Sequence, residues 1–596
     1  MSNIFEPQAQ SISDDNWGSP LVSPVLDLSA NEETPIMPDI KQSPQSLVFE
    51  NQDILGVIFE NFAIDFDSPL FNAHRRDLLN AALVCTACTD PAMNILWGNM
   101  DSFIPLIQLL PTTKLVNNRY VVNGTMQADD WVRFDFYACR VRSFLVNRSN
   151  PNISTQVFIR LVQLRPSPLL PGLQVLHLPL PIQNSERLGS ANDSVTVSLL
   201  VSSPSLRSIR ISNIGPYSDY ILEPVMSTAV HEIISLKCLN LSGGTCSLDS
   251  LVYIASFKDL RYLTLQTDTE LTSTFLKNIG NLPCLIDLNI KMTHLSEPPS
   301  EARSAGKQVA FSGHMFKGVK NLHITGCPTS MVKFFDSMQP SSVEVAVLEC
   351  ENHPNGIDLS GAWTECFTWM SSAINLQSLS VVELGGPNQT INLPMTAIYP
   401  IFQLVQLRHL KIDITHFGLT SSGLVQIAQA FPNLVTLILP SDTDNSSPSL
   451  SALRVLAIRC PHLEELHILV DIRDALVPIP SFQLHALKKL YLNAIQFQLA
   501  EENLIAMALY LHFTFPHVQV AGYGRCNVVD NDYWSGERYV PSDQNKLLWI
   551  KVQNLLRAFQ TVRHGVLLAH SNPGSHAEEL LLLEDEIFRW DGGLGS

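Results

Sequence analysis

The sequence predicts an α/β fold: a horseshoe of parallel strands and helices, built as a solenoid and preceded by a small helical module. Three observations predict it. A six-residue apolar pattern recurs from Leu173 to Leu492. Amphipathic segments separate the copies. The residues ahead of the first copy carry helical periodicity.

The pattern is an apolar residue, two variable positions, Leu, one variable position, then Leu or a close substitute. It occurs as LQVLHL from Leu173, LRSIRI from Leu206, LKCLNL from Leu236, LRYLTL from Leu260 and LIDLNI from Leu285. It continues as VKNLHI from Val319, LQSLSV from Leu376, LRHLKI from Leu407, LVTLIL from Leu434, LEELHI from Leu463 and LKKLYL from Leu487. A degraded copy starts at Val343. The mean spacing is roughly 28 residues, at the long end of the range for leucine-rich repeats. The last three positions of each copy predict a short strand, whose two apolar residues point one way and the variable one the other. Stacking then yields a continuous core and a solvent-facing ribbon.

Segments such as SGLVQIAQA and NLIAMALYL read as helices between strands. Pro171, Pro204, Pro283, Pro432 and Pro461 each stand two residues before a first Leu, where proline ends a helix and starts an extended segment. LRVLAI from Leu453 lies too close to Leu463 to be a repeat and reads as helix. The Asn or Cys expected three residues after the last apolar position is mostly absent, with Cys327 an isolated match. The solenoid is assigned to 171–525, with a C-terminal cap and tail over 526–596.

Upstream, residues 46–100 read as three helices. In NQDILGVIFENF the residues Ile54, Leu55, Ile58, Phe59 and Phe62 share one face. The second helix is RRDLLNAALVCTAC, with Leu78, Leu79, Ala82 and Leu83 on its apolar side. Asp90 and Pro91 suit the N-cap and first position of a third helix carrying Ala92, Leu96 and Trp97. A mostly helical connector is expected over 101–170. Residues 1–45, rich in Ser, Pro and acids, read as a disordered tail.

Charge narrows the function classes. The 596 residues carry a formal net charge of −18. A nucleic-acid partner requires surplus Lys and Arg to displace counterions, and an anionic membrane requires the same. Neither partner is expected. The opening residues lack a basic start and an apolar run, and ELLLLEDEIF is broken by acids too early to span a bilayer. The eleven scattered cysteines suit reduced thiols. An intracellular chain, cytoplasmic or nuclear, is the expectation.

Chemistry is sparse. Cys85-Thr-Ala-Cys88 has redox or zinc spacing, but a structural zinc site needs a second pair, so both read as core cysteines of the second helix. His462 and His467 lack the spacing of a helical zinc pair. No phosphate loop, nucleophile elbow or dinucleotide fingerprint occurs. No catalytic residue, metal or cofactor is expected.

The segment LLNAALVCTACTDPAMNILW resembles the second half of an F-box. Together with DWVRFDFYACRVRSF, RPSPLLPGLQVLHL and IRCPHLEELHIL, it resembles the F-box/leucine-rich-repeat proteins of mushroom-forming fungi. The resemblance implies a non-catalytic substrate-recognition subunit of an SCF cullin–RING ubiquitin ligase. Its Skp-type adaptor would dock on Ile54, Leu55, Ile58, Phe59, Leu79, Leu83, Val84, Cys85, Leu96 and Trp97, and the repeats would hold a protein substrate. Two positions depart from that family: Glu50-Asn51 replaces a Leu-Pro pair, and Cys88 replaces a Trp. A short helical cap on a leucine-rich-repeat scaffold with no ubiquitin role is the alternative.

On the ribbon the outward residues are His177, Arg210, Asn240, Thr264, Asn289, His323, Ser380, Lys411, Ile438, His467 and Tyr491. The C-terminal set Lys411, Ile438, His467 and Tyr491 mixes cationic, apolar and aromatic character, as binding surfaces do, and is the candidate substrate site.

Overall fold

The computed structural model describes residues 48–49, 51–62, 71–146, 153, 155–165, 168–180, 203–216, 218–292, 295–296, 315–351, 359–384, 391–414, 416–439, 447–472, 485–494, 501–518, 520–522 and 543–571. The tail over 1–45, the Ser/Asp-rich loop after Pro440 and the last 25 residues of the expected C-terminal tail, 572–596, lie outside these.

Every copy of the apolar pattern becomes a strand of one parallel sheet of 15 strands, ordered as in the chain. These are β1 (Asn99–Met100), β2 (Ser143–Leu145), β3 (Val175–Pro179), β4 (Ser208–Ile214) and β5 (Cys238–Gly243). Next come β6 (Tyr262–Gln266), β7 (Asp287–Met292), β8 (Asn321–Gly326), β9 (Val345–Cys350) and β10 (Ser378–Glu383). The series ends with β11 (His409–Asp413), β12 (Thr436–Leu439), β13 (Glu465–Val470), β14 (Lys489–Ala494) and β15 (Val520–Gly522). The chain is thus an α/β leucine-rich-repeat solenoid.

Alternation explains the burial. In β11, Leu410 and Ile412 are fully buried while His409 is exposed and Lys411 and Asp413 half-buried. The inward residues join one core running from Met100 to Leu556. Helices close the outer side: Asp219–Glu232, Ser273–Gly280, Pro328–Phe335, Ser360–Ser371, Ser421–Ala430 and Leu453–Arg459, the last where LRVLAI was read as helix. Two layers use 3-10 segments instead, Val252–Ser256 and Met395–Gln403.

The recurrent prolines have a sharper role than ending helices. Leu173, Leu206, Leu434 and Leu463 each donate a backbone N–H to the carbonyl three residues earlier, at 3.1–3.3 Å. Pro171, Pro204, Pro432 and Pro461 occupy the second position of those turns, which favours proline's fixed φ.

The sheet starts earlier than the pattern. β1 and β2 pair in parallel with one another, and β2 pairs with β3, so the expected helical connector already contributes strands. Thr113–Val116 and Arg119–Val122 form a hairpin in the same stretch. At the other end, α4 (Glu501–Thr514) and α5 (Asp543–Ser571) close the solenoid, with Trp549, Val552 and Leu556 buried. Gln560 Nε2 donates to Val518 O at 2.7 Å, tying α5 to the last turn.

The N-terminal module comprises α1 (Gln52–Glu60), α2 (Phe71–Ala82) and α3 (Thr86–Gly98) around Leu55, Phe59, Leu78, Ala82, Cys88 and Ala92. Asn51 caps α1 by accepting from Asp53 N and Ile54 N at 3.0 and 3.1 Å. The third helix starts five residues before the expected Pro91, with Cys85 as its N-cap. Pro91 sits inside it and has no N–H for the carbonyl of Ala87. Gln52 of α1 donates to that carbonyl at 3.2 Å instead.

Leu437 and Ile438 are sequence neighbours on opposite faces, one fully buried and one half-buried. Leu437→Ala is expected to lower stability by about 2–5 kcal/mol through its cavity, and Ile438→Ala by less than ~1 kcal/mol. Urea denaturation of the two variants checks this; equal losses would contradict the assigned register.

Candidate protein-interaction surfaces

Two surfaces emerge. The first is on the module, where the apolar stripe predicted on α1 divides in two. Leu55 and Phe59 are 3% and 8% exposed and form the module's own core. Ile54 and Ile58 are exposed, as is Val57 between them. The expectation that all four predicted α1 residues face a partner is therefore corrected: a three-helix module needs Leu55 and Phe59 inside. Val57 was missed, although it lies on the face of Ile54 at i+3.

On α2 and the following turn, Leu79, Leu83 and Val84 are exposed, the last two by 78% and 75%. Leu96 is half-buried against the module core, and Trp97 packs on the solenoid core. Trp97 stacks on Tyr137 with ring centroids 4.4 Å apart. Half-buried, it joins the module to the solenoid core. Arg140 completes the joint. Its guanidinium pairs with Asp90 at 2.7 Å, contacts Asn94, and lies 4.5 Å from the centre of the Phe136 ring. Asp90, expected as an N-cap, serves this clamp. Arg140 was not legible as functional, because its partners lie 46 and 50 residues away.

Cys85 and Cys88 are not both inside one helix, as expected. Cys85 is half-buried in extended backbone ahead of α3, and Cys88 is buried one turn into it. Their sulfurs lie 3.4 Å apart.

The second surface is the concave ribbon. Lateral register places its residues in one unbroken row, from His177 beside Arg210 to His467 beside Tyr491. Lys411, Ile438, His467 and Tyr491 stand on β11 to β14, each paired with the next. Val347 of the degraded copy fills the place between His323 and Ser380.

Two of the four differ from expectation. His467 is only 5% exposed: its ring lies 4.1 Å from that of Tyr491, and its Nε2–H donates to Glu465 Oε1 at 2.8 Å. Burial pushes its pKa below the ordinary value, assisted by Lys411 and Lys489 and opposed by Glu465, so the ring is neutral. Lys411 lies 3.4 Å from Asp413, so its charge is already answered. What remains accessible is a half-buried Ile438 and a half-buried Tyr491, flanked by the His467 ring on the adjacent strand. At the strand starts a separate cleft of about 660 Å³ runs past Asn375, Arg408, Asn433, His462 and Glu464.

Among the described residues, no group of three or more His, Cys, Asp or Glu side chains could hold a metal ion. No described helix is long and apolar enough to cross a membrane.

No family model matches the chain, and no curated protein matches it. Solved structures do. An internalin from Listeria monocytogenes is 13% identical, with a TM-score of 0.29, over 60% of this chain and 82% of its own. A chain from the crystal structure of a Rad7 and Elc1 complex in yeast is 14% identical, with a TM-score of 0.34, over 71% of this chain and 98% of its own. The repeat fold itself rests on the strand order and register above.

Buried histidines link stability to pH. His512 of α4 lies beneath α5, 5.9 Å from the Phe559 ring. Burial, with Arg563 nearby, pushes its pKa down from 6.5 to about 4. His467 and His485 are lowered in the same direction by burial. Unfolded histidines bind protons that these sites refuse, so their stabilisation is complete above pH 6.5 and is lost as pH falls toward 4. Denaturation midpoints should fall across that window, and His512→Phe should flatten the slope. An unchanged slope in that variant would show that His512 is not a principal contributor.

Proposed function

We propose that the chain is a non-catalytic adaptor: a substrate-recognition subunit of a cullin–RING ubiquitin ligase. Its module docks a Skp-type adaptor and its concave ribbon holds a protein substrate. One observation carries this reading. Ile54, Val57, Ile58, Leu79, Leu83 and Val84 are exposed on a module whose core is complete without them.

A cap would turn such residues onto the first repeat. Here α1 and α2 pack on α3, and these six side chains face away from any described neighbour that would bury them. Exposed apolar surface of this kind marks an interaction site. The docking set is therefore narrower than the resemblance implied: Leu55, Phe59 and Trp97 shape the face without forming it.

An adaptor of this type works by proximity, holding its target near a transferred ubiquitin. Proximity requires a fixed distance between docking face and ribbon. The Arg140 clamp and the Trp97–Tyr137 stack join the module to the solenoid and favour such a fixed distance. On the ribbon, Tyr491 is the strongest anchor, because it combines apolar area with a polar tip.

Replacing Ile54 and Ile58 together with Asp should weaken adaptor binding by at least ~30-fold, about 2 kcal/mol, while the solenoid's unfolding transition stays in place. Phe59 is unsuitable for this test because its replacement would open the module's core. Absence of adaptor binding by the wild-type chain in a direct assay would favour the plain scaffold reading. Arg140→Ala is expected to slow substrate ubiquitylation while leaving both binding steps intact, measured by pull-down and by a reconstituted transfer assay.

A further inference from the structure

We propose that Cys85 and Cys88 form a reversible dithiol–disulfide couple, oxidised by low-molecular-weight disulfides of the glutathione class. Sequence spacing reads both residues as core cysteines; the structure buries Cys88 in the module core and leaves Cys85 half-buried at the helix N-terminus against it.

Cys85 is the N-cap of α3, a helix of 13 residues, in an extended conformation with φ −158° and ψ 161°. Neither an oxygen nor a nitrogen side chain performs the cap there. The Cys85 sulfur lies one helical turn from Cys88, and the two sulfurs are in contact at 3.4 Å. A disulfide requires a separation of about 2.05 Å, so closure needs a movement of about 1.4 Å. Side-chain rotation at a residue outside the regular helix supplies that more easily than two cysteines within one helix could.

The two sulfurs are chemically unequal, as an attacking and a resolving thiol should be. The free N–H groups and the dipole at a helix N-terminus favour a thiolate. The Cys88 backbone N–H and its thiol both act on Cys85 and hold its pKa below the ordinary thiol value. Burial, with the Cys85 sulfur beside it, raises Cys88. Cys350, Cys366 and Cys460 provide a contrast: each is buried in the solenoid core with its pKa pushed up, and none faces a helix N-terminus as a cap.

The reaction balances as two exchanges. The Cys85 thiolate attacks one sulfur of the external disulfide, and the other leaves as a thiolate that takes up a proton. A Cys85 mixed disulfide results. Cys88 then loses its proton and attacks the Cys85 sulfur, expelling the second small thiol and closing the Cys85–Cys88 bond. Two electrons pass to the external disulfide, and its two sulfurs leave as thiols. Excess small thiol reverses both steps.

The couple lies directly after Leu83 and Val84, on the turn where the module is most exposed. Thr89 Oγ1 ties that turn by donating to Ala82 O at 2.9 Å. Its test does not depend on what docks there. The full-length protein is equilibrated with reduced and oxidised glutathione at graded ratios, alkylated and digested with trypsin. The peptide from Asp77 to Lys114 contains these two cysteines and no other, which separates them from the exposed Cys139. Oxidation should yield that peptide about 2 Da lighter than its dithiol, without bound glutathione, and reversibly. Cys88→Ser should trap glutathione on Cys85 at least ~10-fold more than wild type, because the resolving thiol is gone. Cys85→Ser should leave Cys88 unmodified under the same conditions. A wild-type peptide that keeps two free thiols, or that carries two glutathiones with no internal disulfide, would overturn the proposal. If the disulfide forms but adaptor binding is absent in both redox states, the docking reading fails and the couple stands.

Discussion

One hydrogen-bond motif sets the geometry of the solenoid. Ahead of each strand from β3 to β14, a single backbone carbonyl of the preceding repeat accepts two N–H groups. Arg142 O receives Gln174 N and Val175 N at 2.7 and 2.9 Å, and Val435 O receives Glu464 N and Glu465 N at 2.8 and 3.1 Å. The same fork recurs at each step between them. Because it is made by main chain, the side chains in that column are free to vary, and they do: Arg, Gln, Lys, Ile, Glu and Val all occur. Once the fork fixes where each strand begins, period-two alternation decides which residues enter the core. Strands can then lie about 4.8 Å apart on one side, while the outer helices need nearly twice that spacing, so the stack must curve. The 3-10 layers at Val252–Ser256 and Met395–Gln403 occupy less width on the outer side.

That dependence explains what was legible in the sequence. A strand whose Leu and Ile positions alternate leaves a local signature, so β3 to β14 could be read from residues alone. β1 and β2 could not, because Asn99–Met100 and Ser143–Leu145 are too short to display a period. The start of α3 was misplaced for a different reason. Asp90-Pro91 is a strong local helix-start signal, but Gln52, distant in sequence, satisfies the carbonyl that Pro91 leaves open. The burial of His467 was also invisible, since it arises from Tyr491 on the next strand and Glu465 on its own. In each case a contact from another element outweighed local preference.

The module illustrates the same limit on a single helix. Apolar periodicity on α1 marks a stripe but not which half of it a small module can cover. Leu55 and Phe59 join the core with residues of α2 and α3; Ile54 and Ile58 stand one position earlier in the chain and stay exposed outside it. Where an apolar stripe is wider than the available core, only packing distinguishes the part that is buried from the part that stays exposed.

On the concave face, charge is arranged so that little of it is left for a partner. Lys291 lies between Asp268 and Glu351 at 3.0 and 2.8 Å, and His323 lies 3.0 Å from Glu349. Lys411 faces Asp413, while Glu465 is shared between His467 and Lys489. Most of the described charges along these strands are thus answered locally, with Arg210 an exposed exception. A partner held there would gain little from long-range attraction, and its affinity would depend only weakly on salt. On the proposed reading, shape and the accessible faces of Ile438 and Tyr491 would supply the selectivity. Those features act at contact distance, so on the proposed reading the ribbon would distinguish partners after encounter without steering them toward it.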